Sequence, residues 1–465
     1  MSTSVVVFTR DLRVRDNPAL AAAAQADQVV PLFVFDDVIL RRHAVNATRL
    51  AFLLSSLRDL DASLRELGGR LVTRRGQWAR TVLQLAAQAD AGQIHLAGDV
   101  SGYAQRRLAR LTGLAASARR EVVVHPGVMV SEPGALAPPG QASYQVFTPY
   151  YRKWLAAPRR PLAAAPARLA VPGSIGSGTL PDLAGLRTGR PAADAPPGGE
   201  RAGLARLRQW TAGRLAGYEH ARDDLAADAT SRLSPYLHFG CLSPLAVASE
   251  FGSLAGAGPF VRQLAWRDFF CQLLAARPRA AHEDYRDRGD QWHDDPDGLG
   301  AWQSGQTGYP VVDAAMRQLD REGFMHNRAR MIVASFLTKD LSVDWRAGAA
   351  HFTALLADAD TACNQLNWQW VAGTGTDPRP HRIFNPTVQG KRFDPRGEYV
   401  GRYLPELAGL AQDQVHDPAP ETRRARGYPA PILDHAAAAA AWRSRQHLRS
   451  QRSRQPRRTG RVAVP

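Results

Sequence analysis

Asp358, Asp360, Asn364, Trp368 and Trp370 crowd into one short run, "DADTACNQLNWQW". Carboxylates accept hydrogen bonds from ring and ribose donors, a neutral amide both donates and accepts, and indoles pack against flat groups. A helix over Thr361 to Ala372 would put Asn364 and Trp368 on one face, at i and i+4, with Trp370 turned nearly opposite. One face could then offer an amide and an indole to a bound planar group while Trp370 meets something else. The plainer reading is aromatic core with a buried amide bonded to backbone.

Other clusters carry similar double readings. In "ATSRLSPYLHFG", Thr230, Ser231 and Ser234 bring hydroxyls and backbone N–H groups to a helix start beside Arg232, which suits phosphate as well as ordinary capping before Pro235. Arg330 with Asp358 and Asp360 could clamp a heterocycle or form a structural ion pair. "GFMHNRARMI" gathers His326, Asn327, Arg328, Arg330 and Met331, with Asn327 and Met331 on one helical face. "GTGTD" is neither a Walker loop nor a Rossmann turn and reads as a flexible turn. No serine or cysteine nucleophile stands beside a credible base. Cys241, Cys271 and Cys363 are the only cysteines, which offers no C-x-x-C zinc site and too few thiolates for an iron–sulfur cluster. No metal is expected, and any cofactor is organic.

The elements that must position these groups follow from pattern. The 465 residues predict two domains. No signal-like N-terminal run or transmembrane span is visible, so the chain reads as soluble and cytoplasmic. Over 1–130, "SVVVFTR", "VVPLFVFD", "RLVTRRG", "QIHLAGD" and "EVVVHPG" read as buried strands alternating with helices such as Ala47 to Leu67 and Trp78 to Ala89. That alternation predicts a doubly wound α/β domain with a parallel sheet, without a G-x-G-x-x-G fingerprint. Residues 131–200 are rich in Pro, Gly and Ala and read as a linker, interrupted by "YQVFTPYYRKWL". Helical periodicity dominates 201–435, an all-α domain. The net charge of +16 comes almost wholly from arginine, since Lys153, Lys339 and Lys391 are the only lysines. A GC-rich genome and a phosphate-binding surface both explain that surplus. From 436 to 465 a basic tail, "WRSRQHLRSQRSRQPRRTGR" at its centre, carries eight arginines without an acid and is expected to be disordered.

Taken together, "FTRDLRVRDNPAL", "TSRLSPYL", "AWRDFF", "TGYPVVDAAMRQL", "HNRARMI", "DAD", "NWQWVAGTGTD", "RIFNP" and "RYLPEL" resemble the photolyase and cryptochrome family in order and spacing over nearly the whole chain. The resemblance implies an α/β antenna domain and a helical domain holding bent FAD. By position, Tyr218, Thr230, Ser231, Arg232, Leu233 and Ser234 would bind its phosphates and ribose. Arg267 and Asn327 would enclose it, Asp358 and Asp360 would contact flavin and ribose with Arg330 in support, and Asn364 would sit beside flavin N5 as the catalytic amide. Trp368, Trp345 and Trp292 would pass electrons inward from the surface, since an indole can lose an electron without breaking a bond. The implied substrate is a pyrimidine dimer in ultraviolet-damaged DNA, flipped out of the duplex. Trp266 and Trp370 would pack on the dimer, Gln263, Asn327, Arg328 and Met331 would complete its pocket, and Arg382 would neutralise phosphate. Excited, reduced flavin would give the dimer an electron, the cyclobutane ring would split and the electron would return, in a monomer away from any membrane.

Two alternatives remain within the resemblance. Repair of the (6-4) photoproduct uses a histidine pair where this chain has Asn327 and Met331, neither of which shuttles protons near neutral pH. A signalling cryptochrome of the plant type carries an acid where this chain has Asn364. Gln263 replaces a glutamic acid common in the family, and its amide can still pair with a thymine edge. Ala104 and Gln105 replace an Asn-Glu pair of folate-binding relatives, which leaves deazaflavin, methenyltetrahydrofolate or nothing as the second, antenna chromophore.

Overall fold

The computed structural model describes residues 1–41, 45–186 and 189–454, with side chains to residue 447. Strands form where the apolar runs lie: β1 (Thr3–Phe8), β2 (Gln28–Asp36), β3 (Val72–Gly76), β4 (Gln93–Ala97) and β5 (Glu121–His125). They pair in parallel in the order β3-β2-β1-β4-β5. Helix α1 (Pro18–Ala23) follows β1, α2 (Ala47–Glu66) follows β2, and α3 (Trp78–Gln88) and α4 (Gly102–Ser117) follow β3 and β4. Both faces of the sheet are covered at its centre, which is why β1, β2 and β4 are buried without alternation, whereas edge strands β3 and β5 are partly exposed. Val5 and Val7 pack under α3 and α4, whereas Val6 and Phe8 join α1 and α2. That second core continues into the helical half through Leu207, Trp210 and Phe260. Strand order reverses at β1, so the crevice beyond its carboxyl end is the sheet's switch point.

The stretch read as a linker is a strap laid along the sheet. Val29 N–H donates to Ala170 O at 2.8 Å, Leu169 N–H to Leu67 O at 2.7 Å and Thr73 N–H to Ser177 O at 2.7 Å. Within it, α5 (Phe147–Ala156) buries Trp154, whose indole N–H donates to Asp268 Oδ2 at 3.0 Å.

The helical half places α6 (Glu200–Arg214), α7 (Ser234–His238), α8 (Gly258–Ala276), α9 (Pro310–Glu322), α10 (Asn327–Ser335), α11 (Trp345–Leu355) and α12 (Thr361–Ala372) around the site. Asp360 caps α12, its Oδ1 accepting from Cys363 N–H at 2.9 Å, and Gly373 ends the helix in the left-handed region at φ 94°. The halves meet closely at Gly240, whose φ is 67° and where a Cβ would overlap the backbone of Arg10. Among the described residues no helix is long and apolar enough to cross a membrane.

One expectation needs correction. The basic tail is not disordered from 436, because α13 spans His435–Arg454. An alanine run of high helix propensity supplies the helix, and Ala439 and Trp442, three residues apart, bury one face of it. The Lys339 ammonium lies 5.0 Å from the Trp442 ring and donates to Pro380 O at 3.0 Å and Arg382 O at 2.6 Å. Residues 455–465 lie outside the described residues.

Candidate active site

A cavity of about 840 Å³ opens among α7, α8, α10, α11 and α12, within the size range of small-molecule and cofactor sites. It is lined by Tyr218, Thr230, Ser231, Arg232, Leu233, Ser234, Gln263, Trp266, Arg267, Asn327, Arg328, Arg330, Met331, Asp358, Asp360, Asn364, Trp368 and Trp370. Residues scattered over half the chain therefore converge. Trp345, Trp292 and Arg382 stand outside the lining.

The floor is built from paired charges. Asp358 Oδ2 is 3.3 Å from Arg330 Nη2 and accepts from the Ser234 hydroxyl. Burial pushes the Asp358 pKa up, but Arg330, Ser234 and His238 outweigh it and hold the carboxyl below its usual range. Burial acts the same way on Asp360, and Arg10, His238 and Arg267 together hold it well below that range. Arg10 reaches Asp360 from the end of β1, bonding also to Asp99 Oδ2 at 3.1 Å and His238 O at 2.9 Å. Local sequence around Asp360 gives no hint of Arg10 or His238. The only available signal was an arginine just past a strand end at the switch point.

The hydroxyl cluster is not used for capping: Leu233 holds the cap position of α7 and no side chain bonds there. Thr230 Oγ1 is buried without a hydrogen-bond partner among the described residues, a condition that costs about 1–3 kcal/mol unless a ligand relieves it. Arg232 has φ 54°, and its guanidinium is already matched by Asp228 and Glu322, each at 2.7 Å. Arg267 spends its donors on Val128 O at 2.6 Å and Leu237 O at 3.4 Å, which suits enclosure.

Asn364 is a buried amide bonded to backbone that also borders the cavity. Its Nδ2 donates to Ala349 O at 3.0 Å and Thr353 Oγ1 at 3.1 Å, while the residue lines the cavity. A carbonyl oxygen can only accept, so the NH2 group is fixed toward α11 and Oδ1 is left as an acceptor.

Helix α12 is a partition. Trp368 belongs to the core shared with α9, α10 and α11, and Trp370 packs on the core continuous with the sheet. A Cβ at Gly348 would overlap the Trp368 ring, so glycine lets α11 and α12 approach. Trp368 meets Phe352 edge-on at 5.0 Å and Trp302 at 6.0 Å. Trp302 escaped the sequence reading because it belongs to no motif at helical spacing from the site. Trp345 is fully buried with its N–H on Asp284 Oδ1 at 2.8 Å, and Trp292 is half-buried against the same core.

At the mouth, Trp266 and Trp370 meet at 90° with centroids 5.2 Å apart, leaving an aromatic corner. Arg328 is 2.8 Å from Asp223 and 3.9 Å from the Met331 sulfur. Arg382 is partly exposed, 3.6 Å from Asp377, on the loop that Lys339 holds.

A family model for "DNA photolyase" matches residues 4–167, and one for "FAD binding domain of DNA photolyase" matches residues 260–447. The chain belongs to the DNA photolyase family. It is 51% identical over 449 residues to the deoxyribodipyrimidine photo-lyase of Streptomyces griseus, covering 95% of this chain and 98% of that one. Its structure superposes with TM-score 0.90 on a bacterial class III photolyase from Agrobacterium tumefaciens, at 33% identity over 97% of this chain and 98% of the other. A Synechocystis cryptochrome matches with TM-score 0.88 at 30% identity, covering 96% and 99%. Photolyase and cryptochrome share this fold, so the side chains must separate them.

FAD fits what this photolyase-family cavity offers. The unpartnered Thr230 hydroxyl, the ionised Asp358 and Asp360, and the acceptor Oδ1 of Asn364 match a ligand with phosphate, ribose and a flat ring bearing N–H donors. The matched FAD-binding stretch holds α8 through α12, whereas Tyr218 and Thr230 to Ser234 precede it. Among the described residues no three His, Cys, Asp or Glu side chains are grouped to hold a metal ion.

Proposed function

We propose that this protein is a light-driven lyase that holds FAD on the cavity floor and splits cyclobutane pyrimidine dimers turned out of ultraviolet-damaged DNA into the cavity mouth. One observation carries this reading: a cavity lined by the Asp358–Arg330 pair, Asp360 and Asn364 is also lined by the Trp266–Trp370 corner. FAD held by Asp358, Asp360 and Asn364 would supply, when reduced and lit by blue light, the reversible one-electron chemistry that ring opening needs.

The chain's own residues do the rest. Asp358 and Asp360 accept from ring and ribose donors, with Arg330 and Arg10 keeping them ionised. Thr230, Ser231 and Ser234 with Tyr218, Arg232 and Leu233 hold the phosphate and ribose end, and Arg267 and Asn327 close over it. Asn364 accepts through Oδ1 without adding a charge beside the ring. Trp266 and Trp370 stack on the flipped bases, a contact worth about 1–3 kcal/mol per base. Gln263 pairs with a base edge, Met331 fills the pocket, and Arg328 and Arg382 face phosphate. Trp368, Trp345 and Trp292, all in or against one core, form the electron route that restores the reduced state.

Residues 1–130 then act as antenna domain, 131–200 as strap and 201–435 as catalytic domain. The protein acts as a monomer on this reading. Ala104 and Gln105, in the first turn of α4, disfavour methenyltetrahydrofolate as the antenna. Asn327 and Met331 leave no histidine pair for (6-4) repair, and the neutral Asn364 favours repair over signalling. The test is repair in blue light by the reduced holoenzyme, scored separately on cyclobutane and (6-4) substrates. Loss of cyclobutane dimers alone is expected. Bound, reduced FAD without any repair would favour photoreception.

A further inference from the structure

The aromatic segment inside the strap has so far only a packing role. Phe147 of α5 lies flat on the Trp266 indole, with centroids 3.6 Å apart and planes within 4°. Tyr151, one turn on, stacks beside Phe147 at 5.5 Å and lines the cavity. Above both sits the guanidinium of Arg262, 5.3 Å from the Phe147 centroid and 5.2 Å from that of Tyr151. Arg262 also lines the cavity, is exposed, and forms no ion pair among the described residues. The two rings hold the cation beside them without using its N–H donors, which no carboxylate among the described residues takes up. An uncompensated guanidinium fork at the rim of a cavity is suited to a bidentate oxyanion.

We propose that Arg262 on the Phe147–Tyr151 ledge grips the DNA phosphate flanking the flipped lesion, and that Phe147 is a positioning residue that fixes the plane of Trp266. The proposal rests on the reading of the cavity as a dimer pocket, and it assigns the strap a part in substrate recognition. The phosphate reaches the ledge once the lesion has turned in, so Arg262 acts more on damaged than on intact DNA.

The experiment measures dark binding of the FAD-loaded full chain to a duplex carrying one cyclobutane dimer and to the same duplex undamaged, over about 50 to 200 mM salt. Arg262→Gln should make the salt slope for the dimer duplex shallower by about one and weaken low-salt binding about three- to tenfold. The intact duplex should lose less, and FAD content and the repair rate of the saturated complex should stay unchanged. Phe147→Leu should leave the slope alone but lower the preference for dimer over intact duplex, with FAD retained. An unchanged slope and affinity in Arg262→Gln, or equal losses on both duplexes, would overturn the ledge. A wild-type chain without any preference for the dimer duplex would sink the repair reading itself, and the ledge with it.

Discussion

The floor and the mouth of the cavity solve opposite problems. On the floor each cation has its acid: Arg10 with Asp99 and Asp360, Arg330 with Asp358, Arg232 with Asp228 and Glu322. At the mouth, Arg262 rests on aromatic rings and Trp266 and Trp370 face each other edge-on. Charges buried for good must be matched inside the protein, whereas at the mouth Arg328 and Arg382 each keep one acid and Arg262 is left to water. The difference separates a site for a resident ligand from a site for a visiting one.

Breaking the floor should have the largest effect. Arg10→Ala takes the shared cation from buried Asp360 and half-buried Asp99, and removing one partner of a buried pair costs up to about 3–5 kcal/mol. Chemical denaturation and retained FAD absorbance should both register the loss. A variant with wild-type stability would show that the floor is not held by this pairing. At the mouth, Trp266→Ala should weaken binding of dimer-containing DNA by about 1–3 kcal/mol while intact DNA binds as before. Equal losses would place Trp266 outside the lesion pocket.

Trp292→Phe sharpens the comparison by touching neither region. It should slow photoreduction of oxidised FAD and leave repair by prereduced enzyme nearly intact, and a parallel collapse of repair would merge the two roles. The smallest effect is on pH. Burial pushes the His326 pKa down to about 4, against about 6.5 in the unfolded chain. The unfolded state therefore binds more protons in that window, so folding stability is full above about pH 6.5 and declines as pH falls toward 4. Asp358 and Asp360, with pKa values lowered, stay ionised through that decline. Melting temperature should drop before FAD is released, and release ahead of destabilisation would contradict the assignment.

Much of this was legible along the chain because it is periodic. Five short runs with apolar centres became five strands, and Thr361 to Ala372 became a helix with Asn364 and Trp368 on one flank. What escaped is non-local. Arg10 and Asp360 are 350 residues apart and no spacing links them. The strap's proline and glycine composition records its lack of regular structure but not the backbone bonds that pin it to Leu67, Thr73 and Val29. The tail's charge suggested disorder, yet helix propensity and one buried tryptophan won over the stretch that is described. Likewise, i and i+2 on a helix were expected to face different things, whereas Trp368 and Trp370 touch different cores and still line one cavity.

On the proposed function, the stretch from Asp358 to Trp370 meets the resident cofactor through Asp358, Asp360 and Asn364 and the visiting lesion through Trp370. The most direct test is Asn364→Asp, because it adds one negative charge on the cofactor side of that stretch and changes nothing at the mouth. The account predicts that dark binding of dimer-containing DNA is kept while blue-light repair falls at least about tenfold, a barrier change of about 1.4 kcal/mol. Repair at the wild-type rate, or loss of lesion binding with repair chemistry intact, would contradict it.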